Sequence, residues 1–207
     1  MLKIGLTGGI GSGKSTISKY ISELGFKVVD ADVVSREVLE LYPEITEEVR
    51  KQFGDEFFME NNQLDRKKFG KCLFQNREKL KQYEKIIIPY IKKEIYKRIE
   101  TIEKEGEAVC FLDAPTLIEN GMHKEMDKNI LVWADRNIQV KRIIERDKMS
   151  LLDVNNRINA QMSLEDKKKV VDFVVNNSGK IEDTKKDIYK IIYDLGLLKG
   201  RCICPNK

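Results

Sequence analysis

Histidine occurs once in this chain, as His123, and cysteine four times, as Cys72, Cys110, Cys202 and Cys204, with no repeated CxxC pair. So few ligands, so scattered, exclude a structural zinc site. CICP at residues 202–205 reads as a reduced tail, and His123 as a surface residue. No run approaches eighteen consecutive apolar residues, and MLKIGLTGG at the start loses its apolar character within six. A membrane span and a signal peptide are both excluded on that pattern, and the expected compartment is the cytoplasm. Also missing are N-K-x-D and D-x-x-G, the strings a regulatory GTPase carries, while 207 residues are few for a motor or helicase ATPase. No repeat and no Pro/Gly/Ser-rich linker divides the chain.

What is present can build one core, since 41% of the residues are hydrophobic. The net charge of +4 is mild, and lysine-rich stretches such as KKEIYKR (92–98) and DKKKV (166–170) have the composition of solvated helix faces. Buried-type strands are expected at LKIGLT, FKVVD (26–30), AVCFLD (108–113), ILVWA (130–134) and DFVVN (172–176). After the first strand, Ile17, Ile21 and Leu24 keep a helical period that Gly25 closes. Strands alternating with helices call for a parallel, doubly wound α/β sheet with ligands at its carboxyl edge. Two strand-free intervals, from Asp32 to Gly106 and from about Asn137 to Leu164, read as helical excursions from that sheet.

GGIGSGKS, residues 8–15, satisfies the phosphate-loop pattern G-x-x-x-x-G-K-S/T and stands between a strand and a helix. Backbone N–H groups must turn inward on phosphate oxygens, so side chains must be absent where the loop wraps closest, at Gly8, Gly9, Gly11 and Gly13. Lys14 brings an ammonium to the terminal phosphates, Ser15 a hydroxyl to Mg²⁺, and the following helix its positive dipole end. A kinase built on this loop also needs a base, an acceptor pocket and a lid that excludes water.

VVDADVVSRE (28–37) sets Asp30 and Asp32 at the end of FKVVD, a strand expected beside that of the phosphate loop. Asp32 can serve as base at an attacking hydroxyl or cap the helix that follows; the nearby phosphate loop favours the base. In an extended backbone the two carboxylates would share one face, letting Asp30 support Asp32. Asp113, ending AVCFLD, can hold a water of the Mg²⁺ shell or turn the chain into Ala114-Pro115. Gln139, Arg142 and Arg146 share a helix face, either to seat an anion or as a solvated stripe. Ser150 and Asp153 open a further helix like a capping box, with Arg157 and Gln161 at i, i+4 along it. Basic helices between two strands describe a lid over a nucleotide.

The ordered segments LTGGIGSGKST (6–16), DAD (30–32), LDR (64–66), DAPTLIENG (113–121), RIIERD (142–147), RINAQ (157–161) and DFVVNNSG (172–179) resemble those of dephospho-coenzyme A kinases. The resemblance implies a P-loop NTPase of the nucleoside-monophosphate-kinase type, a single domain over 1–207. Its core would comprise 1–32, 106–136 and 165–207, with a helical acceptor-binding insertion at 33–105 and a helical lid at 137–164. It further implies that the γ-phosphoryl group of Mg-ATP passes to the ribose 3′-hydroxyl of dephospho-CoA, a small-molecule substrate, with no nucleic-acid or membrane partner. By the same resemblance Gly8, Gly9, Gly11, Ser12, Gly13, Lys14, Ser15 and Thr16 bind the ATP phosphates. Asn177 and Gly179 then lie near the adenine, and Arg142 closes over ATP. Asp32, Pro115, Leu117 and Glu119 border the acceptor, Ser15 and Asp113 hold Mg²⁺, and Asp32, Lys14 and Arg142 carry the transfer. Two departures concern the acceptor side: Ile88-Pro89 replaces the usual His-Pro, and Thr116 interrupts the usual P-L-L. Two rivals predict different behaviour. Another small-molecule kinase of this fold would be expected to lack DAD here, and an ATP-gated nucleic-acid binder would show steeply salt-dependent binding.

Overall fold

The computed structural model describes residues 1–198, so Cys202 and Cys204 lie outside the described residues. In chain order the elements are β1 (Leu2–Gly8), α1 (Lys14–Glu23), β2 (Lys27–Asp30), α2 (Ala31–Leu41), α3 (Pro43–Phe53), α4 (Arg66–Gln75) and α5 (Arg77–Lys104). They continue with β3 (Val109–Asp113), β4 (Lys128–Trp133), α6 (Arg136–Asp147), α7 (Leu151–Asn159), α8 (Leu164–Lys168), β5 (Phe173–Asn176) and α9 (Ile181–Asp194). No described helix is long and apolar enough to cross a membrane. The chain divides into two compact units, Met1–Asp30 with the residues from Thr101 onward, and Ala31–Glu100.

The first unit holds the parallel sheet, in the order β2-β3-β1-β4-β5. Every residue of β3 is buried, whereas β2 is four residues long and opens on the exposed Lys27, as an edge strand does. β3 therefore takes the place beside β1 that had been expected for β2. The consequence for the site is direct. Asp113, not Asp30, stands next to β1, in register with Leu6, and Asp30 is in register with Asp113. β1 has neighbours reached by crossovers in opposite directions, so its carboxyl end is the switch point where ligands enter such sheets. On one face Ile17 and Ile21 of α1 and Ile188 and Ile192 of α9, each pair at i, i+4, bury completely against Ile4, Phe111, Ile130 and Val175. Each such side chain contributes about 1.5–3 kcal/mol. Cys110 is buried in β3, and burial pushes its thiol up to about 11, leaving it protonated and unreactive.

The second unit is helical. Phe69 of α4 sits edge-on to Phe53, Phe57 and Tyr83, with ring centroids 5.1, 5.2 and 5.0 Å away. An ionic cluster centred on the buried Glu94 joins α2, the start of α3 and α5. Glu94 of α5 accepts from the Tyr42 hydroxyl at 3.0 Å and from Arg98 Nε at 2.9 Å, and Arg98 also pairs with Glu37 of α2. Burial pushes the Glu94 carboxyl up, but the hydrogen bonds from Arg98 and Tyr42 outweigh it and hold the group below the ordinary range.

Helix α2 begins at Ala31, so the backbone is not extended through Asp30 and Asp32, and the shared-face expectation fails. Asp32 lies inside the first turn of α2, where its backbone carbonyl accepts the Ser35 hydroxyl at 2.8 Å. An acid there is favoured by the helix dipole. Pro89 stands in the interior of α5, where it leaves the helix one backbone donor short.

Candidate active site

The loop after β1 folds onto itself through Ser12 N–H to the Gly9 carbonyl at 3.1 Å, and α1 starts from Gly13 with φ 87°. A Cβ at Gly13 would lie 2.1 Å from Asn177 Nδ2, so both dihedral and space demand glycine. Asn177, expected near an adenine, is buried beneath this loop. Its amide donates to the Ser12 carbonyl at 2.7 Å and accepts from the Thr184 hydroxyl of α9 at 2.9 Å. Gly179 lies beyond it in open surroundings.

Thr184→Val keeps the shape but leaves the Asn177 carbonyl oxygen buried without its donor, a cost of about 1–3 kcal/mol. Thermal unfolding should record that loss, together with a several-fold weaker apparent affinity for ATP.

The Lys14 ammonium makes an ion pair with Asp113, whose side chain is only 3% exposed. Ser15 and Thr16 are exposed in the first turn of α1, and the Ser12 hydroxyl is buried without a hydrogen-bond partner among the described residues. A glycine cradle with an unpartnered hydroxyl, a helix N-terminus and an ammonium fits a polyphosphate. Ser15 and Asp113 are hard oxygen donors of the kind that could hold Mg²⁺.

Three side chains of the 137–164 region reach the loop. Gln139, 5% exposed, donates to the Ile10 carbonyl at 2.7 Å, and Gln161 accepts from Ile10 N–H at 2.8 Å. Arg142 Nη1 lies 3.5 and 3.4 Å from the Gly11 and Ser12 carbonyls. The expected three-residue anion stripe is divided, because Arg146 is turned onto Asp147 at 2.7 and 2.9 Å and holds that carboxyl below its ordinary range. Gln161 is not on a helix with Arg157, since α7 ends at Asn159. The Ser150 hydroxyl does cap α7, accepting from Asp153 N–H at 3.2 Å. The reciprocal contact runs from that hydroxyl to the Asp153 carboxylate, not from the Ser150 backbone as in a full capping box. A cavity of about 480 Å³, bordered by Gly9, Trp133, Gln139, Met162 and Leu164, opens beside the loop.

In the segment after β3, expected at an acceptor, the side chains have mixed placements. Leu117 is fully buried, its tip 2.5 Å from where a Cβ on Gly5 would stand. The Pro115 carbonyl accepts from the buried Thr7 hydroxyl at 3.1 Å, and Glu119 pairs with Lys167 at 3.0 Å. Lys167 is completely buried, against the solvated face expected of DKKKV. Its spacing of i, i+3 from the buried Leu164 is the signal that could have singled it out. His123, read as a surface residue, is half-buried, and its Nδ1 has no hydrogen-bond partner among the described residues.

The dephospho-CoA kinase family model matches residues 2–183. The chain is 46% identical over 198 residues to the dephospho-CoA kinase of Clostridium tetani, covering 95% of this chain and 87% of that one. It is 47% identical over 188 residues to that of Clostridium perfringens, covering 91% and 94%. The solved structure of the Campylobacter jejuni dephospho-CoA kinase superposes with a TM-score of 0.71 at 28% identity, covering 93% and 96%. A phosphate loop ordered as its sequence requires, on a sheet shared with such a structure and in a chain matched from residue 2 to 183, carries the assignment: the chain belongs to the dephospho-CoA kinase family.

Proposed function

We propose that the protein transfers the γ-phosphoryl group of ATP to the ribose 3′-hydroxyl of dephospho-CoA, giving coenzyme A and ADP, the last step of coenzyme A synthesis, in the cytoplasm. The observation that carries this reading is the family match along residues 2–183, which takes in both the phosphate cradle and the DAD segment.

Each residue then has a chemical task. The loop amides and the α1 N-terminus receive phosphate oxygens, and Lys14 exchanges Asp113 for the terminal phosphates. Arg142, already at the loop, adds positive charge where negative charge accumulates during transfer. Ser15 and Asp113 would hold Mg²⁺, which when bound offsets phosphate charge. Asp32 accepts the proton of the attacking hydroxyl. Leu117 anchors its loop in the core, leaving Pro115 and Glu119 as the part of that loop nearer an acceptor.

An acceptor screen tests the proposal. With Mg-ATP present, ADP release should rise above the no-acceptor background with dephospho-CoA, and far less with adenosine monophosphate or other hydroxyl compounds. Background-level release with dephospho-CoA would overturn it.

A further inference from the structure

Lys167 is the one lysine that is fully buried among the described residues, while its neighbours Lys168 and Lys169 are exposed and Lys169, the C-cap of α8, pairs with Asp166 three residues back. Its ammonium donates to the Pro115 carbonyl, which the Thr7 hydroxyl also reaches, and to Glu119 Oε1 at 3.0 Å. The same Glu119 oxygen accepts from Met162 N–H at 3.3 Å, at the return end of the α6–α7 excursion. Two ion pairs therefore bracket one loop: Lys14 on Asp113 at its start and Lys167 on Glu119 at its end. Burial pulls the Lys167 ammonium below the ordinary lysine value, Glu119 opposes this, and the Lys14 charge adds to it. A neutral donor would satisfy a carbonyl at less desolvation cost, and apolar packing would serve stability as well. Retaining a charge there calls for a role that packing does not fill.

From the juxtaposition of a fully buried ammonium with the Pro115 carbonyl and the Glu119 carboxylate, we propose that Lys167 is a positioning residue for phosphoryl transfer. It fixes the loop that begins at Asp113, ties that loop to the end of the lid, and thereby sets the affinity of the site for Mg²⁺. Lys167 touches no reacting atom. It acts through Asp113, and a displacement of that carboxylate by even about 1 Å costs a large factor in rate. The inference rests on the kinase reading above.

The test reads Mg²⁺ directly. Trp133 is the chain's one tryptophan, and its indole N–H donates to Glu165 of α8 at 2.8 Å, two residues from Lys167. Its fluorescence can follow a Mg²⁺ titration of ATP binding with no acceptor present. Lys167→Met should raise the half-saturating Mg²⁺ concentration about fivefold or more and lower kcat with dephospho-CoA roughly tenfold, with KM for ATP at saturating Mg²⁺ changed less than about twofold. Lys169→Met should match the wild type in all three. A folded Lys167→Met with wild-type Mg²⁺ dependence and kcat would overturn the inference. If that variant does not fold, Glu119→Gln decides, because its side chain is 24% exposed and the amide keeps its shape and one acceptor oxygen for Lys167, which still donates to the Pro115 carbonyl. A Mg²⁺ midpoint raised about threefold supports the proposal, and an unchanged midpoint overturns it. Wild-type protein that binds Mg-ATP without turning over dephospho-CoA would sink the kinase reading alone and leave this one to the titration. Absence of any Mg²⁺-dependent ATP signal in the wild type would overturn both.

Discussion

Asp32→Asn is expected to bind ATP as the wild type does and to turn over dephospho-CoA at least about a hundredfold more slowly. The substitution keeps the shape of the side chain and removes its basicity. A hundredfold in rate corresponds to roughly 2.7 kcal/mol of barrier. The competing effect is loss of a favourable first-turn acid in α2, which is worth only about 0.3–1 kcal/mol and acts on stability, not on the chemical step. The two are therefore separable by magnitude and by observable. Steady-state turnover reports the first, thermal unfolding the second, and Trp133 fluorescence on ATP titration checks that binding survives. Near-normal turnover would reduce Asp32 to its helical role and leave the proposed reaction without a base.

The contrast between Asp32 and its neighbour Asp30 illustrates what a sequence transmits. That a strand ends near residue 30 was legible in FKVVD, because apolar β-branched residues and the charged stop act locally. That a helix starts at Ala31, turning the pair out of a shared extended face, depends on where the first helical hydrogen bonds close, which one residue of slippage changes. Strand order is further from reach, because it is settled by pairing between residues about eighty positions apart, such as Asp30 with Asp113. The exposed Lys27 was the local trace of an edge strand. Around the phosphate loop the case is reversed. Glycine spacing, Lys14 and the strand-to-helix setting are all local, and the loop geometry follows from them. The side chains that hold the loop come from far along the chain. Asn177 lies 165 positions from Ser12, and Gln161 lies 151 from Ile10. Lys167 was hidden for another reason. Only the i, i+3 step from Leu164 marks it, and on a five-residue helix with two adjacent lysines that single step is too short a period to stand out.

Lys14→Met should have the largest effect on both turnover and stability, and a second substitution separates the two. Losing the ammonium from the terminal phosphates should lower turnover by about 10²–10³, the cost of removing one preorganised donor from a developing charge. In the nucleotide-free protein the same change strands the Asp113 carboxylate, 3% exposed, without its cation. An uncompensated buried charge costs about 3 kcal/mol, or roughly 6–12 °C in Tm for a chain of this size. Asp113→Asn added to Lys14→Met removes that stranded charge, so most of the Tm should return. Turnover should not return, because neither the ammonium nor the carboxylate expected at Mg²⁺ is restored. Recovery of Tm without activity assigns the Lys14–Asp113 pair a resting role, in which each group neutralises the other until nucleotide and metal replace them. A double variant that regained turnover would show that Lys14 acts only to balance Asp113, and its place on the phosphates would have to be given up.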